Sequence, residues 1–172
     1  VGAGESRIGK HPDSTSLGLM AEAATDALAQ AGLGFDDIDG LITTPTRIDG
    51  WMMPCTVVAS ALGIQPDFFT TVDIAGASGT AMVHQAAMAV ASGACHTVLC
   101  VAGQNLLSGL SRDGAVAAMA SKGSAAHAEL EQPLGPPIPG LYAMVAQRHM
   151  HDFGTTPEAL AQVAVEARRH AG

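Results

Sequence analysis

Three short stretches of this chain carry residue types and spacings that could do chemistry. Gly4-Glu5-Ser6-Arg7-Ile8-Gly9-Lys10 has the GxxxxGK spacing with which a backbone loop cradles phosphate. The next residue is His11, not the Ser or Thr whose hydroxyl would hold Mg²⁺. Arg7 also stands where the third glycine of a dinucleotide fingerprint belongs, so the stretch reads as a glycine turn with a solvated Lys10. Gly76-Ala77-Ser78-Gly79 approaches GxSxG, the sharp turn that exposes a nucleophilic serine. Its closing glycine comes one residue early and Thr80 takes the place, so no nucleophile geometry is specified for Ser78. Cys55 follows Pro54 at an expected helix start, where the helix dipole favours a thiolate. It is the one cysteine that reads as a candidate reactive thiol. Cys95 and Cys100 flank or occupy an expected buried strand and read as small hydrophobes. His149 and His151 are two apart on an expected helix, hence on different faces, and the other histidines are isolated. No metal site is expected.

The elements that must position these residues follow from hydrophobic spacing. Apolar residues recur at helical spacing from Ser16 to Ala31, with Gly32 as the stop. Gly40 to Thr44 is expected as a short strand ended by Pro45, and Pro54 to Ala61 as a helix closed by Gly63. Val1 to Gly4 is expected to be the end of a buried strand. Phe68 to Ile74 is expected as a strand, and Ala75 to Gly79 as a small-residue turn. Thr80 to Ala91 is expected as a helix, apolar nearly all round and therefore buried. His96 to Ala102 is a continuous β-branched run, expected as a central strand covered on both faces. From Gly103 to Pro139 only Gly114 to Ala120 looks helical, and four prolines mark an irregular loop of a length that is usually functional. Helices are expected again over Leu141 to Asp152 and Pro157 to His170. Alternating strands and helices imply a mainly parallel α/β sheet.

Composition narrows the partners. Hydrophobic residues make up 48% of the 172 and charged residues 14%, which excludes a disordered chain. A net charge of −8 with only eight Lys and Arg excludes a phosphate-binding patch, so no nucleic acid is expected. The most apolar stretch, Ala86 to Gly103, is interrupted by Ser92, Gly93, His96 and Thr97, so no membrane insertion is expected. Three cysteines without a CxxC pair suit a reducing, cytoplasmic setting. The chain opens at Val1, within an expected strand, and stops at Gly172 straight after an expected helix; it reads as a piece of a longer protein.

Val72-Asp73-Ile74-Ala75-Gly76-Ala77-Ser78-Gly79-Thr80-Ala81, followed by Gln85 to Gly93, resembles the nucleophile region of the thiolase superfamily. There a strand leads into Cys-Ala/Gly-Ser-Gly and then a buried Ala-rich helix ending in Ser/Thr-Gly. His96 to Asn105 is similar to that superfamily's next strand, which usually ends in Gly-x-Glu/Gln. Pro136 to His151 and Thr155 to Ala171 resemble the sterol carrier protein X-type and bacterial lipid-transfer-type branch. The resemblance runs over essentially the whole chain. It implies the N-terminal half of a thiolase-like α/β fold, a mainly parallel mixed sheet layered with helices, plus an inserted loop region. Residues 1–105 would be the core, 106–154 a loop domain over the active site, and 155–172 a helix returning to the core. The C-terminal half, which carries the superfamily's His and second Cys, would lie outside these residues.

The decisive departure is Gly76, which occupies the position of the nucleophilic cysteine. Glycine has no side chain, so an acyl-enzyme cannot form there. The backbone N–H at Gly76 would survive as an oxyanion donor. The resemblance therefore implies a protein that acts on acyl-CoA thioesters, by acyl transfer or carbon–carbon cleavage in lipid or steroid degradation, without a cysteine acyl-enzyme. Coenzyme A would enter as part of the substrate, with no bound cofactor. Ser78, Gly79 and Tyr142 are the expected substrate-contacting residues, Tyr142 from the loop region. The assembly would be a homodimer or a heteromer with an OB-fold partner. The alternative is a catalytically silent thiolase-fold subunit, or an acyl-CoA-binding partner of an active enzyme.

Overall fold

The computed structural model describes residues 1–115, 129 and 138–171. It divides into two compact units, Val1–Ala118 and Met119–Gly172. In the first, helix α1 (Ser16–Ala31) precedes strand β1 (Gly40–Thr43), helix α2 (Pro54–Leu62) and strand β2 (Phe68–Thr71). Helix α3 (Ser78–Ala91), strand β3 (Val98–Val101) and the single turn α4 (Leu106–Gly109) follow. The second unit holds α5 (Ile138–Phe153) and α6 (Pro157–Ala171). Among the described residues, no helix is long and apolar enough to cross a membrane.

The three described strands are all parallel, in the order β2-β1-β3. Paired residues in such a sheet point to the same face, and the register sorts the core accordingly. Leu41, Leu99 and Val101 meet Met20, Ala24 and Leu28 of α1 and Cys55 and Val58 of α2 on one face. Ile42 meets Met82 of α3 on the other, with Val98 and Cys100 beside them. Leu41 and Ile42 are completely buried, each adding about 1.5–3 kcal/mol relative to exposure. The helix ends follow local chemistry. The Thr15 hydroxyl accepts from Gly18 N–H at 3.0 Å, and Gly32 and Gly63 close α1 and α2 with φ of 69° and 70°.

The structure corrects several expected boundaries. Val1–Gly4 joins no strand among the described residues. Its glycines instead let the main chain lie directly on α1: a Cβ at Gly2 would strike the Ala27 carbonyl, and one at Gly4 the backbone of Ala23 and Ala27. The outer strands are shorter than their β-branched runs because β1 offers only four residues to pair with, and the ladder ends with it. Helix α3 starts two residues early, at Ser78, and is not buried all round. Val83, Met88 and Val90 are 64%, 52% and 45% exposed, since the sheet covers only one side of it. Helix α5 begins at Ile138, within the expected loop, because Pro139 in a first turn forfeits no helical hydrogen bond. A helical turn runs over 112–115; the rest of the expected Gly114–Ala120 helix lies outside the described residues.

Asp39 locks the amino-terminal ends of β1 and β3. Its carboxylate accepts from Thr97 N–H at 2.7 Å and from His96 N–H at 2.8 Å, and pairs with His96 Nδ1 at 2.9 Å. These bonds, the Thr97 amide first, hold its pKa below the ordinary value. A carboxylate depressed in the folded state contributes stability above its unfolded pKa, near 3.9, and loses it as pH falls through the folded value. Urea midpoints taken between pH 5 and pH 2 should therefore fall more steeply for the wild type than for Asp39→Asn. Parallel curves would refute this.

Candidate active site at the Gly76 turn

Because the strands are parallel, the loops following all three open at the same end of the sheet. There they enclose a groove of about 330 Å³. Thr44, Pro45 and Arg47 come from the loop after β1, and Asp73 and Ala75 from the loop after β2. Ser78, Gly79 and Met82 come from α3, and Ala102, Gly103 and Gln104 follow β3.

The 75–79 segment is a tight 3₁₀ turn, Ala75–Ala77, running straight into α3. Ser78 is its staple. The buried Oγ accepts from Ile74 N–H at 3.0 Å and donates to Ala75 C=O at 2.8 Å. A hydroxyl committed in both directions is not poised to attack a substrate. Ala75 has φ 53°, the left-handed region, at a cost of roughly 1–2 kcal/mol for a residue with a Cβ. Gly76 does not share that conformation. A Cβ built on Gly76 meets nothing within 4 Å, and the same holds at Gly79. Neither sterics nor backbone strain therefore requires glycine at 76. The turn has room for a side chain and lacks one. Its backbone N–H stands at the edge of the α3 amino terminus, where helix amides and dipole favour an anionic oxygen.

Cys55 is not among the residues that line this groove. Cys55 is buried, its Sγ donating to Thr70 C=O at 3.2 Å. Burial pushes its thiol up, opposite to the shift expected from its helix start, so Cys55 is a packed core thiol rather than a reactive one. Burial also raises Cys95 and Cys100. Tyr142 belongs to the second unit, on α5, and its side chain is exposed. On the same helix His149 stacks on Phe153 at 4.8 Å, while His151 pairs with Asp152 at 3.0 Å. Among the described residues no group of His, Cys, Asp and Glu is placed to hold a metal.

Two features were not legible from spacing. The residue two after Gly103 is Asn105, and it is buried. Its amide nitrogen donates to His11 C=O at 2.9 Å and Ser14 C=O at 2.7 Å, while its backbone N–H donates to Ser16 Oγ at 3.2 Å. It welds the loop after β3 to the entry of α1. The second is a polar tie across the groove. Arg47 pairs with Asp73 at 3.0 Å, and Gln104 Oε1 accepts from Arg47 N–H at 2.9 Å. Asp73 Oδ1 also accepts from Ala75 N–H at 3.4 Å. Separations of 26 and 57 residues give no motif that could signal these contacts.

A parallel sheet whose strand-turn-helix opens onto a groove at one end of the strands can be set beside known proteins. The family model for the thiolase N-terminal domain matches residues 1–172, and the chain belongs to that family. It is 37% identical over 176 residues to a steroid side-chain-cleaving aldolase of Thermomonospora curvata, covering 99% of this chain and 44% of that protein. It is 36% identical over 180 residues to a 17-hydroxy-3-oxo-4-pregnene-20-carboxyl-CoA lyase of Mycobacterium tuberculosis, with the same coverages. Among solved structures, an Ltp2-ChsH2(DUF35) aldolase superposes with a TM-score of 0.79 at 35% identity, covering 99% of this chain and 42% of that one. The chain thus spans less than half the length of the relatives it matches.

Proposed function

We propose that this chain is the amino-terminal half of a thiolase-like protein that cleaves a carbon–carbon bond in a β-hydroxyacyl-CoA, without a cysteine acyl-enzyme. The observation that carries this reading is Gly76: an open position at the head of α3, free of strain and contacts, from which only the nucleophile is missing. Retro-aldol cleavage needs no nucleophile. A base takes the proton of the β-hydroxyl, and the Cα–Cβ bond breaks to release a carbonyl compound. Its electrons pass into the thioester enolate, which is then protonated at carbon. The Gly76 N–H is suited to hold the enolate oxygen, an interaction that strengthens as charge develops. The base comes from outside the described residues. The names of the two aligned relatives, a steroid side-chain-cleaving aldolase and a pregnene-carboxyl-CoA lyase, support a bulky polycyclic acyl group.

Ser78 and Gly79 would shape the thioester end of the groove. Tyr142 would lend an aromatic face and a hydroxyl to the acyl chain. Coenzyme A takes part only as substrate. The exposed Phe69 on the outer strand β2 suits a dimer across that strand. The DUF35 component of the superposed aldolase supports a heteromer, for which an OB-fold partner is our proposal. Three free cysteines suit a cytoplasmic setting.

The test is chemical. The full-length protein with its partner, given a steroid β-hydroxyacyl-CoA, should release a ketone and a shortened acyl-CoA. Mass spectrometry should find no acyl adduct on residues 75–79 during turnover. An adduct at Ser78 would replace this mechanism with acyl transfer.

A further inference from the structure

The left-handed Ala75 needs an explanation, because such a residue persists only where its surroundings over-determine it. Two anchors hold it. One is the Ser78 hydroxyl, bridging Ile74 N–H and Ala75 C=O. The other is Asp73 Oδ1, which accepts from Ala75 N–H and is itself gripped by the Arg47 guanidinium at 3.0 Å. Arg47 is in turn tied through its main chain to Gln104, so the loops after all three strands are linked through Arg47. Electrostatics gives the pair a second duty. A bare carboxylate at position 73 would repel an anionic oxygen gathered by the amides of the 75–79 turn. A guanidinium beside it offsets that field.

We propose that Arg47 and Asp73 are a positioning pair that holds Ala75 in its left-handed conformation at the head of the 75–78 turn and keeps the turn's amides presented to an anionic thioester oxygen. The inference rests on the reading of this turn as the reaction site. Both side chains are about 40% exposed, at 40% and 41%, and an exposed ion pair adds little to global stability. Its effect is therefore local.

Hydrogen exchange followed by mass spectrometry on the full-length protein tests the pair directly. Asp73→Ala and Arg47→Gln should speed exchange of amides 74–79 by about tenfold or more, while β1 and β3 exchange as in the wild type. Arg47→Lys, which keeps a cation at the site, should stay close to wild type. On a steroid β-hydroxyacyl-CoA, the first two variants should lose roughly 10–100-fold in kcat with little change in KM, the pattern of a lost transition-state interaction. Unchanged exchange at 74–79 in both variants overturns the proposal. So does faster exchange spread equally over β1 and β3, which would mark a general structural role. A wild type that turns over no acyl-CoA sinks the reading of the site, and the exchange data still decide whether the pair holds the turn.

Discussion

Asn105→Asp should destabilise the protein by about 3 kcal/mol or more, despite being nearly isosteric. The wild-type amide donates both of its hydrogens, to the carbonyl oxygens of His11 and Ser14. A carboxylate in the same place would set negative oxygens against two carbonyl oxygens in a buried site. A protonated acid could serve only one of them. Desolvation and this repulsion raise the folded pKa of the new acid above its unfolded value near 3.9. The variant is therefore least handicapped below that value, and its deficit grows as pH rises through the folded pKa. The Asp39 lock runs the other way, gaining as pH rises. Urea melts at pH 4 and pH 7 should show the gap from wild type widening at pH 7. Matching midpoints at both would mean the two carbonyls find other donors. The consequence for function is direct, since Asn105 follows Gln104, which ties the groove's loops together.

Gly76→Cys has the opposite character: little effect on stability and a large one on reactivity. A Cβ at 76 meets nothing within 4 Å and the backbone there is outside the left-handed region, so the fold should tolerate the change within about 0.5 kcal/mol. The introduced thiol would stand at the head of α3, where the helix dipole lowers a thiol pKa. The native thiols are all raised by burial. Iodoacetamide should alkylate position 76 at least about a hundredfold faster than Cys55 or Cys95 in the native protein, because exposure and thiolate fraction both favour it. In the full-length protein with acetyl-CoA, the same variant should accumulate a thioester at 76 that the wild type never shows. Alkylation no faster than at Cys55 would mean the turn does not present this position to solvent.

The hydrophobic periods and turn residues of this chain by themselves determined most of its elements. Helical spacing from Leu17 to Leu28, the β-branched run before Val101, and glycines at 32 and 63 place α1, β3 and two helix ends without any partner. The resemblance of residues 72–93 pointed to the turn proposed as the reaction site and to Gly76 standing where a cysteine was expected. These are local properties, carried by residues within one or two turns of each other. Tertiary structure decided the rest. A helix dipole at Cys55 was local and readable, but the burial that outweighs it comes from a core shared with Leu41 and Leu99, on strands far from it in the chain. Val1–Gly4 had a strand's composition, and only the neighbouring helix shows that its glycines serve a backbone-to-backbone approach. Asn105 and the Arg47–Asp73 tie depend on loops that parallel strands bring to one end of the sheet. Such contacts leave no period in the chain, because a hydrogen bond constrains distance in space and not separation in sequence.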